Sequence, residues 1–207
     1  MYLPIKRVFF QNFVFDVIDE VFEPSEDSFL FAENLTVPKG YEVLDLGTGC
    51  GLLGILAAQK AKHVLSVDVN PYAIYCAKQN AALNNTQDNM SFLRCDLLTA
   101  LDTAVLFDLI LFNAPYLPSE PHEIKTWAGR AWAGGATGRD VIDRFIPMAV
   151  AHLKPSGKVL LLQSSLTGLD LTIQKFHDCG LSAVVKAECN LPFFESIHLI
   201  EASVCVE

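Results

Sequence analysis

The sequence lacks the features typical of membrane, zinc and nucleic-acid-binding proteins. It has no run of about 18 consecutive apolar residues, although 51% of its residues are hydrophobic, so no membrane-spanning helix is predicted. The six cysteines and five histidines include no C-x-x-C pair, which argues against a bound metal. Basic residues are scarce as well, and 15 Lys and Arg against 24 Asp and Glu leave a net charge of -9. That charge disfavours tight binding to a phosphate backbone.

The start of the chain also lacks a secretory signal. Residues 1–10 show no basic start followed by an apolar run and a small-residue cleavage site, so we expect a cytoplasmic protein with reduced, mostly buried thiols. A length of 207 residues suits one well-packed domain. We therefore predict a single domain over 1–207, with an N-terminal extension at 1–40 and a core at 41–207.

Short apolar runs alternate with helical patterns along the core. Strands are predicted at 41–46, 63–69, 91–94, 107–112, 158–163, 181–188 and 197–206, and helices at 51–60, 71–84, 141–153 and 169–179. We predict a turn at 155–157 and a long loop at 115–138. Nearer the N-terminus, we predict a hairpin at 7–18 followed by a helix that begins near Ser25. The alternation predicts an α/β fold with a mostly parallel sheet, helices on both faces and an antiparallel pair at the end.

A glycine-rich turn, Asp45-Leu-Gly47-Thr48-Gly49-Cys-Gly51-Leu-Leu-Gly54, follows the first core strand, where open parallel sheets bind ligands. Its last three glycines also match the dinucleotide fingerprint, with Asp68 ending the next strand as the ribose-binding acid would. A dinucleotide would bring its pyrophosphate close to the carboxylate of Asp45, whereas the amine and sulfonium of S-adenosylmethionine are cations that Asp45 attracts. We therefore predict S-adenosylmethionine, with Asp68 on the ribose hydroxyls and Asp96 near the adenine amino group. The alternative is a tight turn without a ligand.

These features resemble the class I S-adenosylmethionine-dependent methyltransferases over residues 41–206. The resemblance implies a Rossmann-like fold and one methyltransferase domain, extended at its N-terminus by the hairpin and helix. It identifies the methyl donor and leaves the acceptor open.

The tetrapeptide Asn113-Ala114-Pro115-Tyr116 directly follows the 107–112 strand and so faces the same crevice. A planar NH2 acceptor needs two hydrogen-bond acceptors and a flat surface. Asn113 offers a side-chain carbonyl, Ala114 a backbone carbonyl held by Pro115, and Tyr116 a ring. Orientation and charge stabilisation can then supply much of the catalysis without a strong base. The alternative is an Asn-x-Pro turn that only caps a strand.

The tetrapeptide resembles the Asn-Pro-Pro-Tyr signature of methyltransferases that modify glutamine amides or exocyclic base amines, with Ala114 in place of the first proline. Two further segments, 23–30 and 132–146, resemble the HemK-type glutamine methyltransferases of the archaeal and eukaryotic branch, which modify the Gly-Gly-Gln motif of translation release factors. This resemblance implies that Asn113 and Ala114 hold the amide. It also implies a set of residues around the cofactor, namely Ser28, Asp45, Gly47, Asp68, Asp96, Leu97 and Asn113.

Relatives in this branch can work with a small zinc-binding activator subunit, which makes such a partner a candidate here. If it binds, we expect an exposed apolar patch near the 91–94 edge. Two other functions stay open: an adenine N6 methyltransferase acting on DNA or RNA, which the net charge disfavours, and a scaffold protein without activity. Two simpler structural interpretations also stay open. In one, residues 25–28 only cap a helix; in the other, the loop that carries Arg130 and Arg139 is solvated and leaves both arginines unpaired.

Overall fold

The computed structural model describes residues 5–120, 122–192 and 195–204. Nine strands and six α-helices are seen in these ranges. The strands are β1 (Ile5–Phe10), β2 (Phe13–Ile18), β3 (Glu42–Leu46), β4 (His63–Asp68), β5 (Met90–Arg94), β6 (Phe107–Asn113), β7 (Leu153–Ser164), β8 (Leu181–Asn190) and β9 (Ser196–Val204). The helices are α1 (Glu26–Asn34), α2 (Leu52–Ala58), α3 (Pro71–Leu83), α4 (Trp127–Arg130), α5 (Asp140–Ala151) and α6 (Leu169–Asp178). None of these helices is long and apolar enough to cross a bilayer.

Seven strands form one sheet in the order β5-β4-β3-β6-β7-β9-β8. The pairs from β5 to β7 are parallel, whereas β9 runs antiparallel to both β7 and β8. The order reverses between β3 and β6, which is where an open α/β sheet forms a crevice at its carboxyl edge. The predicted fold, with its terminal antiparallel pair, is confirmed.

The core lies on both faces of this sheet because the central strands are apolar on both sides. In β3, Val43 packs into one buried cluster and Leu44 into the other, and both side chains are fully buried. The first cluster takes in α1, α2 and α3, and the second takes in α5 and α6. Continuous apolar runs of this kind are what a doubly covered parallel sheet requires.

The predicted N-terminal hairpin is present as β1 paired antiparallel to β2, and it lies against α3. Asn80 of α3 and Asn84 at its C-cap satisfy the backbone of the hairpin: the Asn80 side chain accepts from Asp16 N at 2.9 Å, and the Asn84 side chain accepts from Val14 N at 3.0 Å. The following helix begins at Glu26, and the Ser25 hydroxyl donates to Asp27 Oδ1 at 2.7 Å instead of capping the helix backbone. The extension is thereby held close to the carboxyl edge of the sheet.

The predicted turn at 155–157 is wrong, because these residues lie within β7. The ladder to β6 pairs Phe107 with Leu153 and then Leu109 with Lys158, so the intervening β7 residues bulge outward. Hydrogen bonding on both sides of the bulge keeps the strand continuous. The end of the predicted last strand, 205–206, lies outside the described residues.

The long loop at 115–138 is ordered around short helical turns and close backbone contacts. Leu117 N donates to Trp132 O at 2.9 Å, and Gly134 N donates to Leu117 O at 2.8 Å, which brings the two ends of the loop together. The alternative of a solvated loop with unpaired arginines is wrong. Arg139 is 9% exposed and donates to Thr167 O at 2.7 Å, while Arg130 lies 4.7 Å from the Trp127 ring centroid.

Candidate active site

A cavity of about 810 Å³ opens at the carboxyl edge of the sheet, around the point where the strand order reverses. It is large enough for a drug-sized ligand. The sequence-predicted site residues that line it are Ser28, Asp45, Gly47, Thr48, Gly49, Asp68, Asp96, Leu97, Asn113, Ala114, Pro115 and Tyr116. Gly51 is not part of this lining.

The glycine-rich turn is built around the buried carboxylate of Asp45. Its Oδ2 accepts from Thr48 Oγ1 at 2.5 Å and from Gly54 N at 3.0 Å, so the carboxylate ties the turn to the first turn of α2. A Cβ at position 54 would lie 2.5 Å from Asp45 Oδ2, which explains the glycine. Burial raises the pKa of Asp45 to about 7, although the two hydrogen bonds oppose that shift.

Asp68 ends β4 and contacts the same turn. Its Oδ2 accepts from Gly49 N at 3.0 Å, and its Oδ1 accepts from Asn70 N at 2.8 Å. Burial raises the pKa of the Asp68 carboxyl above its ordinary value. None of the ion pairs within the described ranges includes Asp45 or Asp68, so the cavity wall holds two acids that have no cationic partner among those residues.

The rim beyond β5 carries Asp96 and Leu97. Asp96 is exposed, and its Oδ2 accepts from Arg144 Nη2 at 2.6 Å. Leu97 has φ +51° and is buried, so its backbone is held in the left-handed region by the packing of its side chain. Arg144, which reaches this rim from α5, was missed by the sequence analysis.

Asn113 lies at the end of β6 and faces Asp27 and Ser28 from α1. Its Nδ2 donates to Asp27 Oδ2 at 3.1 Å and approaches Ser28 Oγ at 3.4 Å. The Tyr116 hydroxyl donates to the same Asp27 oxygen at 3.1 Å. Burial, followed by the neighbouring Asp27 carboxylate, raises the pKa of Tyr116 well above its ordinary range, so the phenol keeps its proton.

The side-chain oxygen of Asn113 remains free. Asn113 Oδ1 is buried and has no hydrogen-bond partner among the described residues. Buried carbonyl oxygens are normally paired, so an unpaired one on a cavity wall points to a ligand that donates a hydrogen bond. Next to it, Ala114 is buried with its nitrogen donating to Leu162 O at 3.4 Å, which holds the tetrapeptide to the end of β7.

Asp27 is the main site residue that sequence analysis missed. We interpreted it as an acid at the start of a helix, and the signal that could have identified it is the Glu23-Pro-Ser-Glu-Asp-Ser28 segment that carried the family resemblance. The long loop also contributes to the site, since Ile124, Trp127 and Trp132 line the cavity.

Comparisons with known proteins identify the family of this chain. Residues 23–129 match the family model described as Methyltransferase small domain. A protein of Methanocaldococcus jannaschii named "Putative protein N5-glutamine methyltransferase MJ0928" is 46% identical over 185 residues, covering 88% of this chain and 91% of that one. The protein "Methyltransferase HEMK2" of Mus musculus is 36% identical over 154 residues, covering 69% of this chain and 71% of that one.

Among solved structures, the fold is similar to that in the E. cuniculi Mtq2–Trm112 complex, which is described as responsible for methylation of the eRF1 translation termination factor. The TM-score is 0.70 at 22% identity, covering 90% of this chain and 99% of that chain. The HemK-type resemblance inferred from three separate segments is confirmed. The chain belongs to the methyltransferase small domain family and is a HemK-type methyltransferase that uses S-adenosylmethionine.

Proposed function

We propose that this enzyme methylates the side-chain amide nitrogen of a protein glutamine, in the Gly-Gly-Gln motif of a translation release factor. The observation that carries the proposal is the buried Oδ1 of Asn113, a residue that lines the cavity, because this oxygen has no hydrogen-bond partner among the described residues. An amide NH2 supplies the donor that this oxygen lacks. The names of the M. jannaschii relative and of the E. cuniculi complex support the same acceptor. Because release factors act in translation, we expect the enzyme in the cytoplasm.

The cavity fits the cationic methyl donor. Asp45 and Asp68 are acids whose pKa values burial raises, and a cation beside them stabilises their ionised forms. We propose that Asp68 holds the ribose hydroxyls and that Asp96 and Leu97 border the adenine. Gly47, Thr48, Gly49 and Gly51 shape the turn around the cofactor, while Ser28 and Asn113 lie on its acceptor side. When bound, S-adenosylmethionine supplies an electrophilic methyl group.

The acceptor end of the cavity can orient an amide without a general base. Asn113 Oδ1 and the Ala114 carbonyl would accept its two hydrogens, which fixes the plane of the amide and leaves one face of its nitrogen open to the methyl donor; the methylated nitrogen would then release one of these protons to water. The Tyr116 ring provides the flat surface, and its raised pKa means that it acts as a neutral phenol. Carbonyl oxygens also stabilise the positive charge that develops on the nitrogen, which is electrostatic catalysis by fixed dipoles.

The direct test compares two forms of one substrate. The enzyme is incubated with labelled S-adenosylmethionine and the cognate release factor, either unchanged or with its Gly-Gly-Gln glutamine replaced by glutamate. We expect label in the unchanged factor and background in the variant, with mass spectrometry locating the methyl group on the glutamine. Equal labelling of both forms would contradict the proposal.

An adenine N6 acceptor remains the alternative, because an exocyclic amine presents the same planar NH2 to Asn113. The net charge of -9 disfavours the phosphate contacts that such a substrate needs. Efficient methylation of an oligonucleotide, with a rate that falls steeply as salt is raised, would favour this alternative over glutamine.

We also propose that a small activator subunit binds the β5 edge of the sheet. β5 ends the strand order, so one of its sides is unpaired among the described strands. The edge is not wholly polar: Phe92 and Leu93 are half-buried, and Arg94 Nε donates to Val69 O at 3.2 Å, which places exposed Val69 beside it. The neighbouring helix α3, which contacts β5, carries the exposed rings of Tyr72 and Tyr75. An accessible strand edge beside apolar side chains favours docking by strand addition.

Co-expression with a small zinc-binding subunit tests this second proposal. Tyr75→Glu should weaken co-purification, whereas Leu171→Glu on α6, a residue of similar exposure, should leave it unchanged. Equal co-purification of the wild type and Tyr75→Glu would contradict docking at the β5 edge.

A further inference from the structure

We propose that Asp27 is a positioning residue that fixes the orientation of the Asn113 amide and strengthens its carbonyl as a hydrogen-bond acceptor. The inference rests on the proposed function, because it explains how Asn113 Oδ1 is made available to a substrate amide. Asp27 lies outside the central sheet and reaches the tetrapeptide across 86 residues of sequence.

The two oxygens of Asp27 have separate tasks. Oδ1 accepts from Ser25 Oγ at 2.7 Å and from Ser28 Oγ at 3.0 Å, which holds the carboxylate against the start of α1. Oδ2 accepts from Asn113 Nδ2 and from the Tyr116 hydroxyl, each at 3.1 Å. Asp27 is 6% exposed, so water competes little for these bonds. One carboxylate thus connects α1 to both ends of the tetrapeptide.

A carboxylate at this position allows one orientation of the Asn113 amide. In the observed orientation, NH2 faces the carboxylate and the carbonyl remains free in the cavity wall. The flipped amide would place its oxygen against the carboxylate and its NH2 against the NH2 of a substrate. Both of those contacts are repulsive, because an ionised carboxylate only accepts hydrogen bonds and two NH2 groups only donate. The charge of Asp27 therefore selects the acceptor form of Asn113.

The same contact should increase the acceptor strength of Asn113. A hydrogen bond from Nδ2 to an ionised carboxylate moves electron density through the planar amide towards Oδ1, since linked hydrogen bonds polarise one another. The substrate nitrogen gains positive charge as it attacks a methyl group, so a more negative Oδ1 stabilises that transition state more than the ground state. Loss of the charge should then reduce kcat more than it raises KM.

The test uses Asp27→Asn, which keeps the shape and removes the charge. Asp27→Asn should lower kcat on the release factor ten- to a hundredfold, as expected when a charge-assisted bond is replaced by a neutral or inverted one. The KM for the release factor and the affinity for S-adenosylmethionine should change less than threefold. Glu26→Gln, which removes the neighbouring exposed charge, serves as the matched control and should leave kcat unchanged.

A double-mutant cycle distinguishes positioning from a general structural effect. If Asp27 acts through Asn113, Asp27→Asn should slow the Asn113→Ala enzyme less than twofold, because the group to be positioned is already absent. Wild-type kcat in Asp27→Asn, or an equal loss in both backgrounds, would overturn the inference. Single-turnover labelling with radioactive cofactor keeps the slow variants measurable.

A second readout does not depend on the substrate. In protein labelled with ¹⁵N-asparagine, the side-chain NH2 resonances of Asn113 are assigned by their loss in Asn113→Ala. Asp27→Asn should shift them and Glu26→Gln should not; unshifted resonances in a folded Asp27→Asn protein would overturn the inference. If the wild type instead fails to methylate the release factor, the proposed function fails, and these resonances still decide the role of Asp27.

Discussion

The buried carboxyl of Asp45 should make the stability of the cofactor-free enzyme fall as pH rises through neutrality. Its pKa lies at about 7 instead of the ordinary 3.8, because burial disfavours the charged form. A raised folded-state pKa means that its stabilising contribution is fully present below pH 3.8 and is lost as pH rises through 7. The window of the effect therefore extends from about pH 4 to pH 8.

The magnitude follows from the shift in pKa. A shift of about three units corresponds to about 4 kcal/mol between the acidic and alkaline limits, and about 3 kcal/mol of this falls between pH 5 and pH 8. Asp45 is 2% exposed, so solvent screens this carboxyl little. Asp45→Asn keeps the size of the side chain and an oxygen that can accept from Thr48 and Gly54, but it has no charge to bury.

Urea unfolding of both proteins at pH 5, 6, 7 and 8, without cofactor, measures the effect. The free energy of unfolding should fall by about 3 kcal/mol more in the wild type than in Asp45→Asn across this range. Contributions from carboxyls common to both proteins cancel in the comparison. Asp19→Asn, which removes an exposed charge, should behave like the wild type. Parallel pH profiles for the wild type and Asp45→Asn would refute the reasoning.

Three further substitutions test the site and its support. Gly54→Ala gains about 1 kcal/mol of helix propensity but places a methyl group 2.5 Å from Asp45 Oδ2. The clash should lower the free energy of unfolding by up to about 2 kcal/mol, measured by urea unfolding, and should weaken cofactor binding, measured by calorimetry. Asp68→Ala should abolish the heat of S-adenosylmethionine binding, whereas Asp102→Ala on the exposed surface should preserve it. Arg139→Ala leaves two carbonyls and a hydroxyl without their donor and should cost about 2–4 kcal/mol in unfolding free energy; a loss below about 1 kcal/mol would contradict the structural role.

The central strands could be predicted from sequence because burial on both faces leaves a local signature. Residues 43–46 and 109–112 are apolar apart from Asp45, and the structure buries all eight. Asp45 stands out within this pattern, and its chemistry identified the cofactor class. Local pattern, burial and function agree in these strands, so sequence alone was sufficient to predict both the strands and the class of cofactor.

The 155–157 segment shows where local patterns mislead. Pro-Ser-Gly is a typical turn sequence, yet in the structure it bulges from a strand that pairs with β6 on both sides. Turn propensity acts over a few residues, whereas the ladder joins Leu109 to Lys158. Tertiary pairing therefore overrides a local preference that is correct in isolation.

The local sequence pattern alone could not assign a site role to Asp27, for a related reason. Ser-Glu-Asp-Ser before an apolar run is a sufficient signal for a helix start, and the structure does begin α1 there. The contacts to Asn113 and Tyr116 span 86 and 89 residues, so no local pattern encodes them. A residue that satisfies a local rule can still have its main function elsewhere.

The excess of acidic residues affects both which ligands are disfavoured and which ligand fits the cavity. The net charge of -9 argued against a phosphate backbone, and the structure gathers Asp27, Asp45 and Asp68 at the cavity without a cationic partner among the described ion pairs. Such a wall repels the pyrophosphate of a dinucleotide and attracts a sulfonium and an ammonium group. The glycine pattern that matches both ligand classes is therefore resolved by Asp45: Asp68 suits the ribose of either ligand, whereas the Asp45 carboxylate beside the turn favours a cationic methyl donor over a pyrophosphate.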